Sequence, residues 1–425
     1  MKPRRLLIPL RLAMVSFLLG ACGGGSGGDS GGGGSNGSAS CHVIQPGVAS
    51  HVTAMSTTGW RAINQANLLS MFGCAGAPNT LACLGAFPLS SANLWSQNWT
   101  ADAPGTTLRI LREITTATSY WTRSSADGRF VAHGKGESSP SSTIIDLQRA
   151  AAIPAMALYE PGFLPDNSGF FFQGGTKPMC RNSLLAAAPS AVNFNEVECS
   201  SLTLGLGQHF GAVQGQDYWG VSSNFISDDG TTEPIFSFGG TASAKLTPIA
   251  FGGTGYTQKN QINVPTPDEG DAVLSPSAIL MATRSALAGP GGGFTVRKLN
   301  AVPVGMTYNV TPSIIANYCV QGGRPTFSYD ERWLAYHHWV QAADWKDLGF
   351  ASAGDPVFLA LVGQASNVYL LDVLTGTSHR VTRTAAGQRA LFPHFRSDGW
   401  LYFIVRDFNR NTEVVVASDA ALVYE

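Results

Sequence analysis

Pro325-Thr326-Phe327-Ser328-Tyr329-Asp330-Glu331-Arg332-Trp333-Leu334-Ala335-Tyr336 and Pro393-His394-Phe395-Arg396-Ser397-Asp398-Gly399-Trp400-Leu401-Tyr402-Phe403 are two versions of one pattern. Each reads as a strand, a turn centred on Asp, and an aromatic-aliphatic strand. A third copy is Ser124-Ser125-Ala126-Asp127-Gly128-Arg129-Phe130-Val131-Ala132-His133. A fourth is Phe163-Leu164-Pro165-Asp166-Asn167-Ser168-Gly169-Phe170-Phe171-Phe172. Weaker echoes surround Asp217-Tyr218-Trp219 and Ser275-Pro276-Ser277. The turn has a physical cause. Asp and Asn side chains bond backbone amides two residues on, and Gly supplies positive φ without a steric penalty. The β-branched and aromatic residues after the turn suit a buried strand.

Two further strands complete the unit. After Asp330 comes Asn367-Val368-Tyr369-Leu370-Leu371-Asp372-Val373-Leu374-Thr375-Gly376, then His379-Arg380-Val381-Thr382. That adds a strand, a Thr-Gly turn and a fourth strand. Thr143-Ile144-Ile145-Asp146-Leu147 continues the Asp127 copy in the same way. Ser-x-Asp-Gly before an aromatic strand, then a strand ending in Asp-x-x-Thr-Gly, resembles the PD40 repeat of TolB-like β-propellers, relatives of WD40 repeats. Ser-Pro-Asp-Gly itself is never intact: Asp127 follows Ala, Asp330 follows Tyr, and Ser275-Pro276 lacks its Asp.

The resemblance covers residues 106–425 and implies an all-β propeller that serves as a protein-interaction platform. The repeat-turn residues Asp127, Asp166, Asp330 and Asp398, with the two echoes, recur at intervals of about 40 to 70 residues, against about 40 to 50 for one blade. Six anchors imply six four-stranded blades, or seven if residues 41–99 supply one. The last copy runs out after Val414-Val415-Val416-Ala417, so its blade lacks an outermost strand. Thr107-Leu108-Arg109-Ile110-Leu111-Arg112 is placed to provide it and so close the ring, which removes a free sheet edge.

The other end of the chain carries an address. Lys2, Arg4, Arg5 and Arg11 precede an apolar run over residues 12–19, and Leu19-Gly20-Ala21-Cys22 comes next. The run is far below the roughly 20 residues that span a bilayer. A basic front, a short apolar core and small residues before a cleavage point define a signal peptide over residues 1–21. The cleavage region resembles the bacterial lipobox, which implies lipidation of Cys22, and several acyl chains anchor better than one. Gly23 rather than Asp after the cysteine points to the outer membrane, facing either the periplasm or the cell surface. Residues 22–40, almost all Gly and Ser, form a flexible tether. Gly28-Asp29-Ser30-Gly31-Gly32 imitates a nucleophile elbow, but that chemistry needs a strand and a helix around the serine. Residues 41–105 read as an accessory segment or cap, with a short helix expected over 62–72.

Beyond the tether about 385 residues remain, enough for one large domain or two. Net charge is −1 and charged residues are 13% of the chain, so nothing suggests a nucleic-acid partner. Abundant Gly and aromatic residues with few charges fit an all-β exported chain. Besides Cys22 there are six cysteines: Cys41, Cys74, Cys83, Cys180, Cys199 and Cys319. An even number in an oxidising compartment suggests disulfides. Sequence proximity favours Cys74–Cys83 and Cys180–Cys199, leaving Cys41–Cys319 to pin the start of the fold to its body.

No catalytic, metal or cofactor motif stands out: there is no H-E-x-x-H and no phosphate loop. His337-His338 reads as one packed and one solvent-facing ring, since adjacent strand residues face opposite ways. Asp228, Asp229 and Glu233, and then Asp268, Glu269 and Asp271, read as solvated acidic turns. His133 and His394 sit at strand ends that border a propeller's channel. Trp339 and Trp345, beside a long loop over residues 342–355, are candidates for exposed aromatics. The leading expectation is an envelope lipoprotein whose propeller binds a protein or a polysaccharide. The alternatives are a propeller hydrolase or lyase acting on polysaccharide or peptide, and a structural subunit of an outer-membrane assembly.

Overall fold

The computed structural model describes residues 42–64, 100–102, 104–114, 121–134, 142–155, 162–172, 179–182, 199–200, 209–213, 216–223, 243–250, 257–267, 269–285 and 293–424. Among these residues the strands form antiparallel meanders, labelled blades 1 to 6 in chain order. Blade 1 comprises Trp121–Ser124, Phe130–Gly134, Ser142–Asp146 and Ala151–Ala155. Blade 2 comprises Gly162–Phe163, Phe170–Phe172, Met179–Asn182 and Cys199–Ser200. Blade 3 comprises His209–Ala212, Tyr218–Ser222, Ser243–Ile249 and Ile262–Pro265. Blade 4 comprises Glu269–Leu274, Leu280–Ser285, Gly293–Val304 and Thr307–Tyr318. Blade 5 comprises Gly323–Phe327, Trp333–Trp339, Ser366–Asp372 and Ser378–Arg380.

Blade 6 is assembled from both ends of the propeller. Gln388–Phe395, Leu401–Asp407 and Thr412–Ser418 come from the C-terminal region, and Leu108–Ile114 pairs with the last of them as the outermost strand. The first strands touch in a closed cycle, each blade's against the next, with Gln388–Phe395 of blade 6 returning to Trp121–Ser124 of blade 1. That cycle makes the molecule a β-propeller with the first strands around its axis.

A propeller strand is covered on both faces, so its sequence is a continuous apolar run instead of an alternation. Leu401-Tyr402-Phe403-Ile404-Val405 shows the consequence. Tyr402 and Ile404 pack with Val131 and Ile145 of blade 1. Leu401, Phe403 and Val405 pack with Trp333, Val368 and Leu370 of blade 5. All five are fully buried, and each is worth about 2 kcal/mol relative to exposure.

The segment before the propeller departs from the sequence reading. Val43–Ile44 is a strand that adds to blade 4 as its fifth member, opposite Asn317 and Ala316. Helix α1, Gly47–Thr58, comes next, where the sequence reading expected none. Its buried residues Val48, His51, Val52 and Met55 keep helical spacing, with a histidine among small polar neighbours. Residues 60–64 are also helical, so helix begins ahead of the expected 62–72. Thr100–Ala101 pairs with Thr382–Arg383, and Asp102 accepts hydrogen bonds from Arg380 and Arg383, each at 2.8 Å.

Cys180 and Cys199 lie opposite each other on neighbouring strands of blade 2. Cys319 is disulfide-bonded. Cys22, Cys41, Cys74 and Cys83 fall outside the described residues, as do Ser30, Asp228, Asp229, Glu233, Asp268 and most of a candidate seventh blade.

Candidate functional site in the central channel

The turns joining first to second strands gather at one end of the propeller, and local side chains build each of them. In blade 5, Trp333 N–H donates to Ser328 Oγ at 2.9 Å, Ser328 donates to Asp330, and Arg332 N–H donates to Asp330 at 3.3 Å. Blade 1 repeats the set: Phe130 N–H donates to Ser125 Oγ at 3.1 Å, and Arg129 N–H donates to Asp127 at 2.9 Å. In blade 4, where Asp is missing, Ser277 takes its place and accepts Ile279 N–H at 3.2 Å. In blade 6 the serine is replaced by Arg396, which donates twice to Asp398, each bond 2.6 Å and both side chains fully buried. Gly128, at φ +69°, makes room for it: a Cβ there would collide with Arg396 Cδ.

The turns also bind one another. Asn167 donates to Asp127 at 2.9 Å, and Tyr218 OH donates to Asp166 at 2.8 Å. Ser277 N–H donates to Glu331 at 2.7 Å, and Ser397 N–H donates to the Ala126 carbonyl at 2.7 Å. The repeat aspartates Asp127, Asp166, Asp330 and Asp398 are therefore placed as turn and blade-to-blade acceptors.

Residues 47–64 lie across this same end. His51 Nε2 is 2.6 Å from Glu331 of blade 5. Trp60 Nε1–H donates to the Ala212 carbonyl of blade 3 at 2.5 Å. Arg61 donates to Asp330 of blade 5 at 2.7 Å, and Asn64 donates to the Pro165 carbonyl of blade 2 at 2.6 Å. The Trp60 ring is buried with Leu164, Phe171, Phe210 and Tyr218, while Val48 and Val52 join the core of blade 4. One chain segment thus spans this end by bonding to blades 2, 3 and 5.

Between the first strands and their turns is a chamber of about 60 Å3. Its polar side chains include Arg123, Ser124, Thr326 and His394, beside the rings of Phe163 and Tyr329. His394 Nδ1 is 3.1 Å from the Phe392 carbonyl, so that nitrogen carries the hydrogen and Nε2 keeps its lone pair. Burial, with the charge of Arg123 nearby, pushes the imidazole down to about 3, and the ring is neutral. Nε2 of His394 and Oγ of Ser124 make no hydrogen bond within the described residues. The chamber therefore offers one guanidinium, one neutral base and the hydroxyls of Ser124 and Thr326 in a space of a few waters.

Three first strands share a feature that no residue pattern announces. A β-bulge falls between Gly270 and Val273, between Gly323 and Thr326, and between Leu391 and His394. At the same position in each, four residues ahead of Ser275, Ser328 and Arg396, a non-glycine residue takes positive φ: Asp271 at 48°, Arg324 at 52° and Phe392 at 55°. Bulges of this kind re-aim side chains. Here they set Thr326 and His394 on the chamber wall.

Other sequence expectations change. His337 and His338 are both buried, at 1% and 9% exposure, so neither faces solvent. His337 Nδ1 accepts Phe392 N–H at 3.3 Å, and His338 Nε2 lies 2.8 Å from Asp344, because residues 341–355 fold back over the strand end. Trp339 and Trp345 are half-buried: Arg389 stacks on Trp339, and Trp345 packs in a small core with Phe358 of helix α2, Pro356–Leu361. Glu269 and Asp271 belong to a first strand, not a solvated turn, and Glu269 is fully buried against Arg297 at 2.5 and 2.6 Å. His133 is buried and pushed down to about 4. Among the described residues no three His, Cys, Asp or Glu side chains meet as metal ligands would.

No family model and no curated protein matches the chain. Solved structures do. The β-propeller domain of Myceliophteria thermophila Cps50 (Swd1) aligns over 73% of this chain and 99% of its own, at 8% identity and TM-score 0.41. TolB from Acinetobacter baumannii aligns over 63% of this chain and 55% of its own, at 11% identity and TM-score 0.37. An oligogalacturonate lyase from Vibrio parahaemolyticus aligns over 77% and 98%, at 10% identity and TM-score 0.40.

Proposed function

We propose that the protein is a bacterial envelope lipoprotein, held through Cys22, whose propeller binds another envelope component, a protein or a polysaccharide, through its outer surfaces. The supporting observation is the small size of the central chamber. Small-molecule sites usually occupy about 300–1,000 Å3. At about 60 Å3, bordered by Arg123, Ser124, Thr326 and His394, the chamber is far smaller than that. Recognition then falls to loops and blade edges. In this reading the disulfide-bonded Cys319 pairs with Cys41, the partner that the sequence leaves to it. Non-reducing peptide mapping tests that link.

A hydrolase or lyase is the second reading, and one observation favours it: neutral His394, Arg123 and Ser124 border one chamber. Affinity capture of the lipidated protein from detergent-solubilised envelopes, with mass spectrometry, tests the first reading. A stoichiometric partner, or retention on one glycan of an envelope array, supports it. Turnover of a polysaccharide or peptide that His394→Phe abolishes would replace it with the second. Radiolabelled palmitate incorporation, lost in Cys22→Ser, tests the anchor separately.

A further inference from the structure

Among the described residues, blade 4 carries a ribbon that its neighbours lack. Its third and fourth strands stay paired down to Val304 opposite Thr307, whereas the second strand ends at Leu280 opposite Lys298. From Leu299 outward the two strands project about 20 Å, at about 3.3 Å per residue. One face of the ribbon is braced on blade 3. Leu299, Tyr308 and Val310 pack with Trp219 and Ile262, the Tyr308 and Trp219 rings lie 4.6 Å apart, and Asn260 N–H donates to the Met306 carbonyl at 2.9 Å. On the opposite face and at the tip the apolar side chains are exposed: Val302 is 60% exposed, Met306 55%, Ile314 50% and Val304 47%.

The sequence of this ribbon is as unusual as its exposure. No Asp, Glu, Lys or Arg occurs between Lys298 and Arg324. The exposed apolar side chains are thus not shielded by charges on the same strands. Their backbone groups are paired across the ribbon, so removing the tip from water strands few polar groups.

We propose that the tip of this ribbon, Val302, Val304 and Met306, inserts into the interfacial layer of a lipid bilayer, as a second contact beside the acyl anchor. The proposal rests on the lipoprotein reading. Three observations select a bilayer over a protein. The segment leading from Cys22 enters the fold as the fifth strand of this same blade, paired to Asn317 and Ala316 of the ribbon's own strand. Only about 20 residues of sequence separate Cys22 from that strand, which keeps this blade within a short chain length of the anchor. A wedge of three or four side chains also falls well short of the roughly 800 Å2 per partner that a stable protein interface buries. From Val302 to the turn is about 10 Å, which matches the depth of interfacial insertion.

The test uses the mature full-length chain with Cys22→Ser, so that acylation plays no part, and vesicles of phosphatidylethanolamine and phosphatidylglycerol. The chain is expected to co-sediment with the vesicles in a lipid-dependent way. Val302→Asp with Met306→Asp is expected to weaken partitioning at least tenfold with an unchanged melting temperature. The milder pair Val304→Thr with Met306→Gln is expected to weaken it several-fold, and serves if the aspartates disturb folding. Absence of co-sedimentation at millimolar lipid overturns the proposal, as does equal binding by the variants. A sedimentation velocity that shifts from dimer to monomer in the variants, without lipid, assigns the ribbon to self-association and also overturns it. Palmitate incorporation at Cys22 is read independently: its absence sinks the anchor while vesicle binding still decides the ribbon.

Discussion

The turn-side mouth and the blade 4 ribbon are both surfaces that a bare propeller would leave open, yet the chain treats them oppositely. The mouth is covered by residues 47–64, whose side chains match the turns bond for bond: His51 to Glu331, Trp60 to Ala212, Arg61 to Asp330, Asn64 to Pro165. The ribbon tip is left uncovered, and it carries apolar side chains without a charge. Covering a polar rim requires specific partners, because each buried polar group left unpaired costs about 1–3 kcal/mol. An uncharged apolar tip makes no such demand and fits a partner without defined hydrogen-bond geometry. The difference separates a surface committed to stability from one available for association.

Breaking the covered side should have the largest effect. Trp60→Ala removes a ring that is 4% exposed and leaves a cavity, with an expected loss of about 3–5 kcal/mol in chemical denaturation. An unchanged unfolding midpoint would mean that residues 47–64 detach before the propeller unfolds. Glu331→Ala should cost about 3 kcal/mol, because it strands both His51 and the Ser277 N–H. Glu331→Gln, which keeps an acceptor for that N–H, should cost about half as much by the same measurement.

The chamber between the first strands gives a pH-dependent version of the same contrast. His394 is held neutral down to about 3 in the folded protein by burial and by Arg123, while an unfolded histidine titrates at 6.5. Below pH 6.5 the unfolded state therefore takes up a proton that the folded state refuses, and stability falls with pH until about 3. Its slope is about 1.4 kcal/mol per pH unit. His394→Phe should flatten the decline of the melting temperature between pH 7 and 5, by about 2 kcal/mol at the lower end. An identical pH profile would show that the ring is hydrated in solution. At the bare tip, Val302→Asp alone should change stability by less than about 0.5 kcal/mol, since the side chain is 60% exposed. A larger loss by thermal melting would mean that the ribbon is covered after all.

Legibility tracked the range of the interactions. The strand-turn-strand copies were readable because Ser125-x-Asp127 and Ser328-x-Asp330 bond amides only a few residues away. Even the echo without Asp was readable, as Ser277 performs the same local task. The chamber was only half visible. His394 was singled out at a strand end, but Arg123, Ser124 and Thr326 carry no local signature. Helix α1 was missed because its buried stripe includes His51, which is satisfied only by Glu331, 280 residues away. Glu269 looked like part of an acidic turn because its partner Arg297 comes from two strands further on.

The sequence by itself determined the repeating unit: strand, Asp turn and aromatic strand depend on backbone propensity and on hydrogen bonds between near neighbours. It also determined the uncharged run from Leu299 to Gly323, which needs no structure to be seen. Only the tertiary structure decided that residues 47–64 cross the turn side, that His394 is buried beside Arg123, and that the ribbon projects. Each of these depends on which blades a side chain meets, and that is fixed when the first strands close into a cycle and bring residues hundreds of positions apart into contact.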